Sequence, residues 1–489
     1  MAKIEFVGNP MSHQIRWLRD NWAKPESALF WEPGAGKTYA VVHMASARYL
    51  HDQIDLVVVL CPNSVKQVWK RETDKFSSVP TVVQVYEAGK DIKRPKDSET
   101  KLEYLVVAIE SLSQGHTYNR VMAYIKDRKA MGVCDESSRI KTAASARTKR
   151  ATAIGWSCFY RLILTGSAVT QGPHDLFAQM RFLDPGIIKQ KNFTAFKARY
   201  CIMGGFQNRK IVQYTNLDEL MNKIRPYCDV IKLKDVADIP DKIYKRLIVM
   251  PSKEQQKAIE EIRDNNCVMV PGTDTELLVE MALERMTRIQ QITGGNIAYP
   301  LEDGGYGTKK IPGSNPKLDA LEDFIKEDLP EDTKMLIWAR FTPERRIIAE
   351  MLTKEFGEDS FVMYDGDVND TARIEAVDRF QGAPEKNIEH DPKVRFFVGN
   401  QTVAGLGLTL TRGIYAFGYS NTFSAEDRIQ MENRNHRTGQ KEHCIYIDCE
   451  MKIKEDRMIL RAVDSKIDLA NLVADAISSG DNIFDGTDE

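Results

Sequence analysis

Short runs of β-branched and aromatic residues alternate with helical patterns along most of this chain, in two series that are separated by a long stretch without them. The first series of predicted strands reads SALFW, DLVVVLC, YLVVAI, MGVCD and RLILTG, and the second reads KMLIWA, FVMYDG, VRFFVGN, GIYAFGY and CIYIDC. Strands that alternate with helices form βαβ units, whose strands run parallel. The predicted fold class is therefore α/β, with two parallel-sheet lobes in tandem.

The region between the two series, from about residue 184 to residue 316, carries charged helical stretches and Gly-rich turns. A fresh helix is expected there after Ser252, because Ser252 and Gln255 form a capping-box pattern. These features predict a first lobe over residues 1–250 with a helical protrusion at about 185–235. The remaining predicted parts are a helical insertion or linker over 251–315, a second lobe over 316–452, a C-terminal helix over 453–476 and an acidic tail over 477–489.

The chain has 489 residues, of which 42% are apolar and 28% charged. This length predicts two or three domains, and the composition is that of a folded protein rather than a disordered one. The sequence contains neither a membrane-spanning apolar run nor a signal peptide, so we expect an intracellular protein, cytoplasmic in a bacterium or phage-infected host and nuclear in a eukaryote. The eight cysteines include no CxxC pair, so reduced thiols are expected.

Basic residues are unevenly distributed on a chain whose net charge is only −2. Residues 137–174 contain six Lys or Arg and no acid, and residues 185–216 contain six more, again without an acid. These tracts indicate a surface that binds a polyanion, with an ordinary solvated surface as the alternative. The last fifteen residues predict a disordered acidic tail that could dock a protein partner; its acids are Asp475, Asp481, Asp485, Asp488 and Glu489.

Two histidines and two cysteines within fourteen residues could supply four zinc ligands, namely His436, His443, Cys444 and Cys449. The segment HCIYIDC alternates like a β-strand, however, and this alternation directs the two cysteines to opposite faces. We therefore favour an ordinary strand over a zinc site.

A glycine-rich turn joins the strand SALFW to the helical pattern KTYAVVHMASARYL. Its backbone N–H groups and the helix N-terminus would face a bound phosphate; the residues concerned are Pro33, Gly34, Ala35 and Gly36. Lys37 would reach the β and γ phosphates, and Thr38 would ligate Mg²⁺. Trp31 stands where the Walker pattern has its first glycine, and a glycine-rich turn without function is the alternative.

The strand MGVCD ends in two acids, Asp135 and Glu136. A phosphate loop needs one acid that holds the metal and a second that polarises the attacking water, and these two residues fit those roles. Alone, such a pair is usually a strand end that meets solvent. Together with Lys37 it predicts nucleotide hydrolysis, with ATP and Mg²⁺ as the substrate and the metal.

The order of the motifs resembles that of the superfamily-two helicases and translocases, and within them that of the Swi/Snf-type DNA-dependent ATPases, over about residues 13–449. In the first half, Gly34–Thr38 resembles motif I, Asp135–Lys141 motif II and Leu164–Ala168 motif III. LCPNSVKQVWKRETDKF and AIESLSQ resemble motifs Ia and Ib. SHQIRWL is similar to the family's adenine-reading motif, which implies a base contact for Gln14.

In the second half, AGLGLTL at 404–410 resembles motif V and QMENRNHRTGQ at 430–440 resembles motif VI. The resemblance implies two RecA-like lobes that close over ATP, with Gly407 at the nucleotide and with catalytic side chains from Gln430, Arg434 and Arg437. Their spacing places both arginines on one helical face, from which they would act as arginine fingers. A salt-bridged surface helix is the alternative, because acids lie nearby at Glu426, Asp427 and Glu432.

Two segments depart from the family pattern. Motif II reads DESS, so Ser138 stands in place of the family's histidine, and the coupling of nucleotide state to movement can differ. IKLK at 231–234 replaces an Arg-Arg-Thr-Lys run, so the role of that run cannot be transferred.

A translocase that holds a nucleic acid at every step binds it best through the backbone phosphates, because these contacts do not depend on sequence. The candidate contacts are N–H groups, hydroxyls and cations of Pro62, Asn63, Ser64, Ser111, Arg139, Lys141, Thr402 and Thr409. Trp69 and Phe76 lie in a helical pattern and are expected in the core rather than stacked on bases.

The resemblance implies an ATP-driven translocase on double-stranded or branched DNA, with fork remodelling and branch migration as the expected role. A strand-separating helicase on single-stranded DNA or RNA is one alternative. A catalytically idle DNA-binding scaffold is another, although all five expected catalytic charges are present at Lys37, Asp135, Glu136, Arg434 and Arg437.

Overall fold

The computed structural model describes residues 5–95, 101–273, 276–279, 281–301, 305–366, 370–383, 387–404 and 408–479. The chain divides into two compact units. The first comprises the chain up to Asp238 and the stretch from Lys466 onward, and the second comprises Ile239–Ser465. Within the described residues, none of the helices combines the length and the apolar character that a membrane span requires.

The first unit is an α/β layer structure. Its strands are β1 (Glu26–Trp31), β2 (Leu56–Cys61), β3 (Thr81–Val85), β4 (Leu102–Ala108), β5 (Ala130–Asp135), β6 (Tyr160–Leu164), β7 (Cys201–Gly204), β8 (Lys210–Tyr214) and β9 (Cys228–Ile231). Its helices are α1 (Ser12–Asn21), α2 (Lys37–Leu50), α3 (Lys66–Phe76), α4 (Gly115–Ile125), α5 (Ala146–Trp156), α6 (Leu176–Leu183), α7 (Phe193–Tyr200) and α8 (Leu217–Ile224).

Seven of these strands form one sheet in the order β3-β4-β2-β5-β6-β1-β9, and every pairing in it is parallel. All residues of β2, β4 and β5 are buried, as expected for strands with helices on both faces of the sheet. Because the strands are parallel, the loops that follow β1, β2, β4, β5 and β6 leave from the same edge. That edge is where ligands bind in open α/β sheets.

The second unit repeats this plan with additional hairpins. Its strands are β10 (Lys242–Val249), β11 (Cys267–Met269), β12 (Glu276–Leu278), β13 (Asn296–Pro300), β14 (Tyr306–Lys310), β15 (Lys334–Trp338), β16 (Phe361–Tyr364), β17 (Phe396–Gly399), β18 (Gly413–Gly418) and β19 (Cys444–Met451). Its helices are α9 (Lys253–Asn265), α10 (Ala282–Thr293), α11 (Pro316–Asp323), α12 (Thr342–Phe356), α13 (Asp370–Gln381), α14 (Gln401–Ala404), α15 (Ala425–Glu432) and the first part of α16 (Lys454–Ser479). The main sheet is again wholly parallel, in the order β10-β19-β18-β15-β17-β16.

The ten predicted strands are all present, and the fold class of two RecA-like α/β lobes is confirmed. The capping box is also confirmed, since Gln255 N donates to Ser252 Oγ at 3.2 Å and Ser252 N donates to Gln255 Oε1 at 3.0 Å. The stretch between the lobes is less helical than predicted. It contains the antiparallel hairpins β7-β8, β11-β12 and β13-β14.

The boundary between the units lies earlier than the predicted end of the first lobe at residue 250. β10 pairs with β19 from Lys242 to Val249 and therefore belongs to the second sheet. Its alternating sequence KIYKRLIV indicates a half-buried strand but does not indicate which sheet the strand joins.

The end of the described chain also differs from the prediction. α16 continues to Ser479, so Asp475, which was expected in a disordered tail, lies on a helix and forms an ion pair with Lys232. Val473, Ala476 and Ile477 are buried in the core of the first unit. The other acids of the predicted tail, at 481, 485, 488 and 489, lie outside the described residues.

Candidate nucleotide and nucleic-acid sites

The loop between β1 and α2 has the backbone conformation of an anion cradle. Gly34 and Gly36 have φ angles of +94° and +76°, a region that L-residues other than glycine rarely adopt. Gly36 is the residue that caps α2, which begins at Lys37. A Cβ atom on Gly36 would lie 2.1 Å from Nε2 of Gln14, so a larger residue at position 36 would displace that side chain. The positive end of a 14-residue helix therefore faces the loop.

Two side chains of α1 support this loop from one side. His13 Nε2 donates to the carbonyl of Ala35 at 2.8 Å, and Gln14 Nε2 lies 3.3 Å from the carbonyl of Gly36. Gln14 Oε1 accepts a hydrogen bond from Met11 N at 2.8 Å. Gln14 therefore positions the loop in this structure, and its contact with an adenine base stays a prediction.

Lys37 and Thr38 open α2 beside the loop, and both are half-buried. Lys37 Nζ donates to the carbonyl oxygen of Trp31 at 2.8 Å. The charge of Lys37 also acts on Asp135, where it opposes the rise in pKa that burial causes. The predicted partners Lys37 and Asp135 are thus brought within electrostatic range of each other.

Asp135 ends β5 and is only 7% exposed. Its Oδ2 accepts a hydrogen bond from Trp69 Nε1 at 2.8 Å, and its Oδ1 accepts one from Glu136 N at 3.0 Å. Burial raises the pKa of Asp135 above its ordinary value, and the Trp69 hydrogen bond, the charge of Lys37 and the Glu136 N–H oppose that rise. The carboxylate is therefore held in a fixed orientation at the edge of the sheet.

Glu136 has a φ of +49°, which is a strained conformation for a residue other than glycine. Its side chain lies beside β6, where Thr165 Oγ1 is 3.5 Å from Glu136 Oε2. The next residue on that loop, Gly166, packs on the phosphate loop, because a Cβ there would lie 2.6 Å from Pro33 Cδ. Motifs I, II and III are therefore in mutual contact.

Trp31, which replaces the first Walker glycine, is completely buried. Its Nε1 donates to Asp229 Oδ1 at 2.7 Å, and its ring packs edge-on against His13 and Trp17. The apolar run SALFW already indicates that residue 31 belongs to the strand rather than to the loop. The tryptophan is a core residue beneath the cradle.

The IKLK segment that departs from the family pattern contacts the same loop. Glu32 Oε2 accepts a hydrogen bond from Leu233 N at 2.7 Å, and Glu32 N donates to Ile231 O at 2.9 Å. Ser138, the second departure, is buried at 1% exposure. The phosphate loop is therefore supported by the last strand of the sheet as well as by α1.

The oxygen atoms at this edge suit a magnesium ion. Mg²⁺ prefers oxygen ligands and is usually bound through one or two protein groups together with phosphate oxygens and water. The Asp135 carboxylate and the Thr38 hydroxyl would hold the ion. In the described part of the chain, no group of three or more His, Cys, Asp or Glu lies close enough together to form another metal site.

Two of the predicted nucleic-acid segments in the first unit are joined to each other. Asn63 N donates to Glu110 Oε2 at 3.1 Å, which links the turn after β2 to the turn after β4. Asn63 and Ser64 are exposed and Pro62 is buried. The hydroxyl of Ser111 donates to Ala108 O at 2.6 Å and so stabilises the second turn.

The first basic tract supports these turns and does not only face solvent. Arg150 donates to the carbonyls of Leu112 and Ser113 at 2.7 and 2.6 Å. Lys141 Nζ donates to Thr170 Oγ1 at 2.6 Å, and Arg139 is half-buried. The tract is therefore partly structural.

In the second unit, the two motif VI arginines are not on one helical face, because α15 ends at Glu432. Arg434 and Arg437 lie in the turn that follows. They nevertheless meet at one point, since Arg434 Nη1 and Arg437 Nη1 lie 3.3 and 3.0 Å from Leu408 O. Arg437 also donates to Thr409 Oγ1 at 2.8 Å. A turn begins at Asn433, and the sequence AEDRIQMENRNHR contains no glycine or proline that would signal the end of the helix.

The other predicted residues of the second unit lie around this turn. Gln430 is buried, and its carbonyl accepts a hydrogen bond from Arg434 Nε at 2.9 Å. Thr402 is exposed, and its hydroxyl donates to Asp427 Oδ2 at 3.2 Å. Thr409 is exposed as well. Gly407, the predicted nucleotide contact of motif V, lies outside the described residues.

Comparison with known proteins identifies a matching family and several relatives. A family model described as the SNF2-related domain matches residues 12–294. A Caenorhabditis elegans protein named as a homolog of the SWI/SNF-related matrix-associated actin-dependent regulator of chromatin subfamily A-like protein 1 is 25% identical over 450 residues, which cover 91% of this chain and 58% of that protein. The human DNA annealing helicase and endonuclease ZRANB3 is 24% identical over 426 residues, which cover 84% of this chain and 35% of that protein.

Among solved structures, the Sulfolobus solfataricus SWI2/SNF2 ATPase core in complex with dsDNA is 22% identical and has a TM-score of 0.42, over 98% of this chain and 95% of that one. The chain spans 58% or less of the length of the two curated relatives.

Proposed function

Because the chain belongs to the SNF2-related domain family, we propose that it hydrolyses ATP and couples hydrolysis to movement along double-stranded or branched DNA. The observation that carries the proposal is the arrangement at the edge of the first sheet. There the glycine loop, Lys37 and the two acids of motif II lie together, and Thr165 and Gly166 connect them.

In the first unit, each group has a role that follows from its chemistry. The loop N–H groups and the α2 N-terminus bind the phosphates, and Lys37 exchanges the carbonyl of Trp31 for a phosphate oxygen. Thr38 and Asp135 would hold a magnesium ion, which would supply positive charge beside the phosphates. Glu136 orients and polarises the attacking water.

In the second unit, Arg434 and Arg437 supply cations that stabilise the charge of the transition state, with Gln430 as a further catalytic side chain and Gly407 as a nucleotide contact. Both guanidinium groups already donate hydrogen bonds to Leu408 O, so the two cations lie side by side. Release of phosphate removes the anion that attracts them, and the cycle can restart.

The DNA is gripped through its phosphates. We assign this contact to the turns at Pro62–Ser64 and Ser111 and to Arg139 and Lys141 in the first unit, and to Thr402 and Thr409 in the second. Fork remodelling and branch migration are the proposed roles. One relative is named a DNA annealing helicase and endonuclease, which agrees with DNA as the partner.

The test is a comparison of ATPase rates between the parent protein and Lys37→Ala, with single-stranded, duplex and four-way DNA and with RNA. Duplex and four-way DNA are expected to stimulate the parent, and Lys37→Ala is expected to lose the rate while it still binds DNA. Equal rates in both proteins would remove Lys37 from the mechanism. Stimulation by single strands alone, together with strand displacement, would replace the proposal with a strand-separating helicase.

A further inference from the structure

The chain enters the second unit through a short stretch, Pro240–Tyr244, that lies against motif VI; we refer to it as the connecting segment. The carbonyl of Pro240, two residues after the boundary, accepts a hydrogen bond from His436 Nε2 at 2.9 Å. A carbonyl oxygen can only accept, so this nitrogen of His436 carries the proton. His436 stands between the two arginines of motif VI, Arg434 and Arg437.

A second set of bonds joins the connecting segment to the end of α15. Glu432 Oε2 accepts hydrogen bonds from Lys242 Nζ at 2.9 Å and from Tyr244 Oη at 2.8 Å. Its other oxygen accepts one from Arg428 Nε at 2.6 Å, and Arg428 also pairs with both oxygens of Asp448.

Glu432 is 2% exposed, yet it is charged. Burial alone would raise its pKa, but Lys242 and Arg428 outweigh burial and lower the pKa to about 2. A buried charge of this kind keeps one orientation because each of its two oxygens is held by a different cation, and losing either cation would leave the charge only partly paired.

The arginine turn, Asn433–Gln440, is thus fixed at its start and in its middle. Glu432 O accepts the backbone N–H of His436 at 3.0 Å, so the two attachment points are bonded to each other. The turn is also bonded to motif V, since the carbonyl of Arg434 accepts a hydrogen bond from Leu410 N at 2.8 Å. Any displacement of the connecting segment is therefore transmitted to the residues that carry the guanidinium groups.

We propose that His436 and Glu432 are positioning residues, through which the connecting segment sets the placement of Arg434 and Arg437. This inference rests on the proposed function, in which those arginines stabilise the transition state. A residue that acts only through the arginines changes kcat and leaves the KM for ATP unchanged, because the ground state is bound by the first unit.

The test compares His436→Leu with His436→Gln in the full chain. Leucine removes the donor, whereas the Gln amide places a nitrogen at a similar reach. We expect His436→Leu to lower the DNA-stimulated kcat by about tenfold or more, with the KM for ATP and the DNA affinity within about twofold of the parent. His436→Gln should recover most of the rate. Failure of Gln to differ from Leu would overturn the inference.

A double-mutant cycle separates positioning from general stability. In an Arg437→Lys background, adding His436→Leu should cause a smaller further loss than it causes in the parent, because one of the two arginines that it positions is already replaced. Fully additive losses would contradict the inference.

Tyr244→Phe provides a second variant that deletes one hydroxyl from an exposed side chain and should lower kcat severalfold with an unchanged melting temperature.

His443 provides the matched control. It also bonds the connecting segment, through Nδ1 to Asp241 O at 3.1 Å, but it lies outside the arginine turn. His443→Leu should leave kcat unchanged, and a loss equal to that of His436→Leu would overturn the inference. If Arg434→Ala and Arg437→Ala keep the full rate, the proposed function of the arginines fails first. If they lose it while His436→Leu does not, only the positioning role fails.

Discussion

The indole Nε1 of Trp69 donates a hydrogen bond of 2.8 Å to Oδ2 of Asp135, with the tryptophan completely buried. Trp69 lies on α3, directly after the turn that carries the candidate DNA contacts Asn63 and Ser64. The candidate magnesium ligand and a candidate track contact are therefore joined by one helix and one hydrogen bond.

Trp69→Phe tests what this bond contributes. The substitution keeps an aromatic ring and removes the donor, so the Asp135 carboxylate loses its fixed orientation. We expect the Mg²⁺ concentration for half-maximal ATPase to rise by about tenfold or more, as measured by titration at saturating DNA. Trp17→Phe is the matched control, because the buried Trp17 indole bonds to Ser27 Oγ, away from the acids. An equal shift in the control would mean that the effect comes from lost packing.

Gly36→Ala tests the cradle. The new Cβ would displace the Gln14 side chain that supports the loop and would be strained at a φ of +76°, so nucleotide affinity should fall at least tenfold. Binding of a fluorescent ATP analogue measures this. Gly89→Ala, at a φ of +91° with open space around it, controls for the conformational cost alone and should bind normally. Normal binding by Gly36→Ala would argue against this loop as the nucleotide site.

We expect the stability of the second unit to depend on pH because of the buried carboxyl group of Glu344. Burial raises the pKa of Glu344 to about 7, and bonds from Ser420 and Phe341 N and the charges of Lys317 and Arg345 only partly oppose it. The folded state therefore binds a proton that the unfolded state releases near its ordinary pKa of 4.5. Stability from this proton is complete below about pH 4.5 and is lost as the pH rises through about 7.

Glu344→Gln should accordingly stabilise the protein at pH 8, by about 1–3 kcal/mol, and give no gain at pH 4.5. Urea unfolding of both proteins at the two pH values measures the difference. A gain of the same size at both values would show that the carboxyl group does not titrate as described.

Ile477→Ala tests the return of α16 to the first unit. Ile477 is 3% exposed in that unit's core, so truncation should cost about 2–4 kcal/mol of unfolding free energy. Met458, on the same helix but 48% exposed, is the control, and Met458→Ala should cost less than about 0.5 kcal/mol. Chemical denaturation of the two variants checks both values, and equal costs would contradict the packing of the C-terminal end.

Ten of the thirteen strands of the two main sheets could be predicted because they are largely buried and read as apolar runs, whereas β3, β9 and β10 are half-buried or exposed and were not predicted. Hairpin strands such as β8 and β14 were not predicted, because their sequences KIVQY and YGTKK are short and largely exposed. Without a buried face, such a strand shows little alternation of apolar and polar residues. The unit to which β10 and the end of α16 belong is decided by contacts between residues that are far apart in sequence. No local pattern carries that information.

At the candidate site, Lys37, Asp135 and Glu136 could be predicted because each has a fixed place relative to a strand end. The role of Trp69 could not. Its helical spacing predicts burial, which is confirmed, and a buried indole N–H needs an acceptor, but the sequence does not say which acceptor. The position of Arg434 and Arg437 beyond the end of α15 depends on the network around Glu432, which joins residues about 190 positions apart.

The burial of Val473, Ala476 and Ile477 in the first unit has a consequence for synthesis on the ribosome. The whole of Ile239–Ser465 is translated before these side chains exist, so the amino-terminal unit emerges with part of its apolar interior uncovered. During that interval the nascent chain exposes a surface suited to chaperones or to aggregation. Premature stop codons in the last helix would therefore harm the half of the protein that was made first.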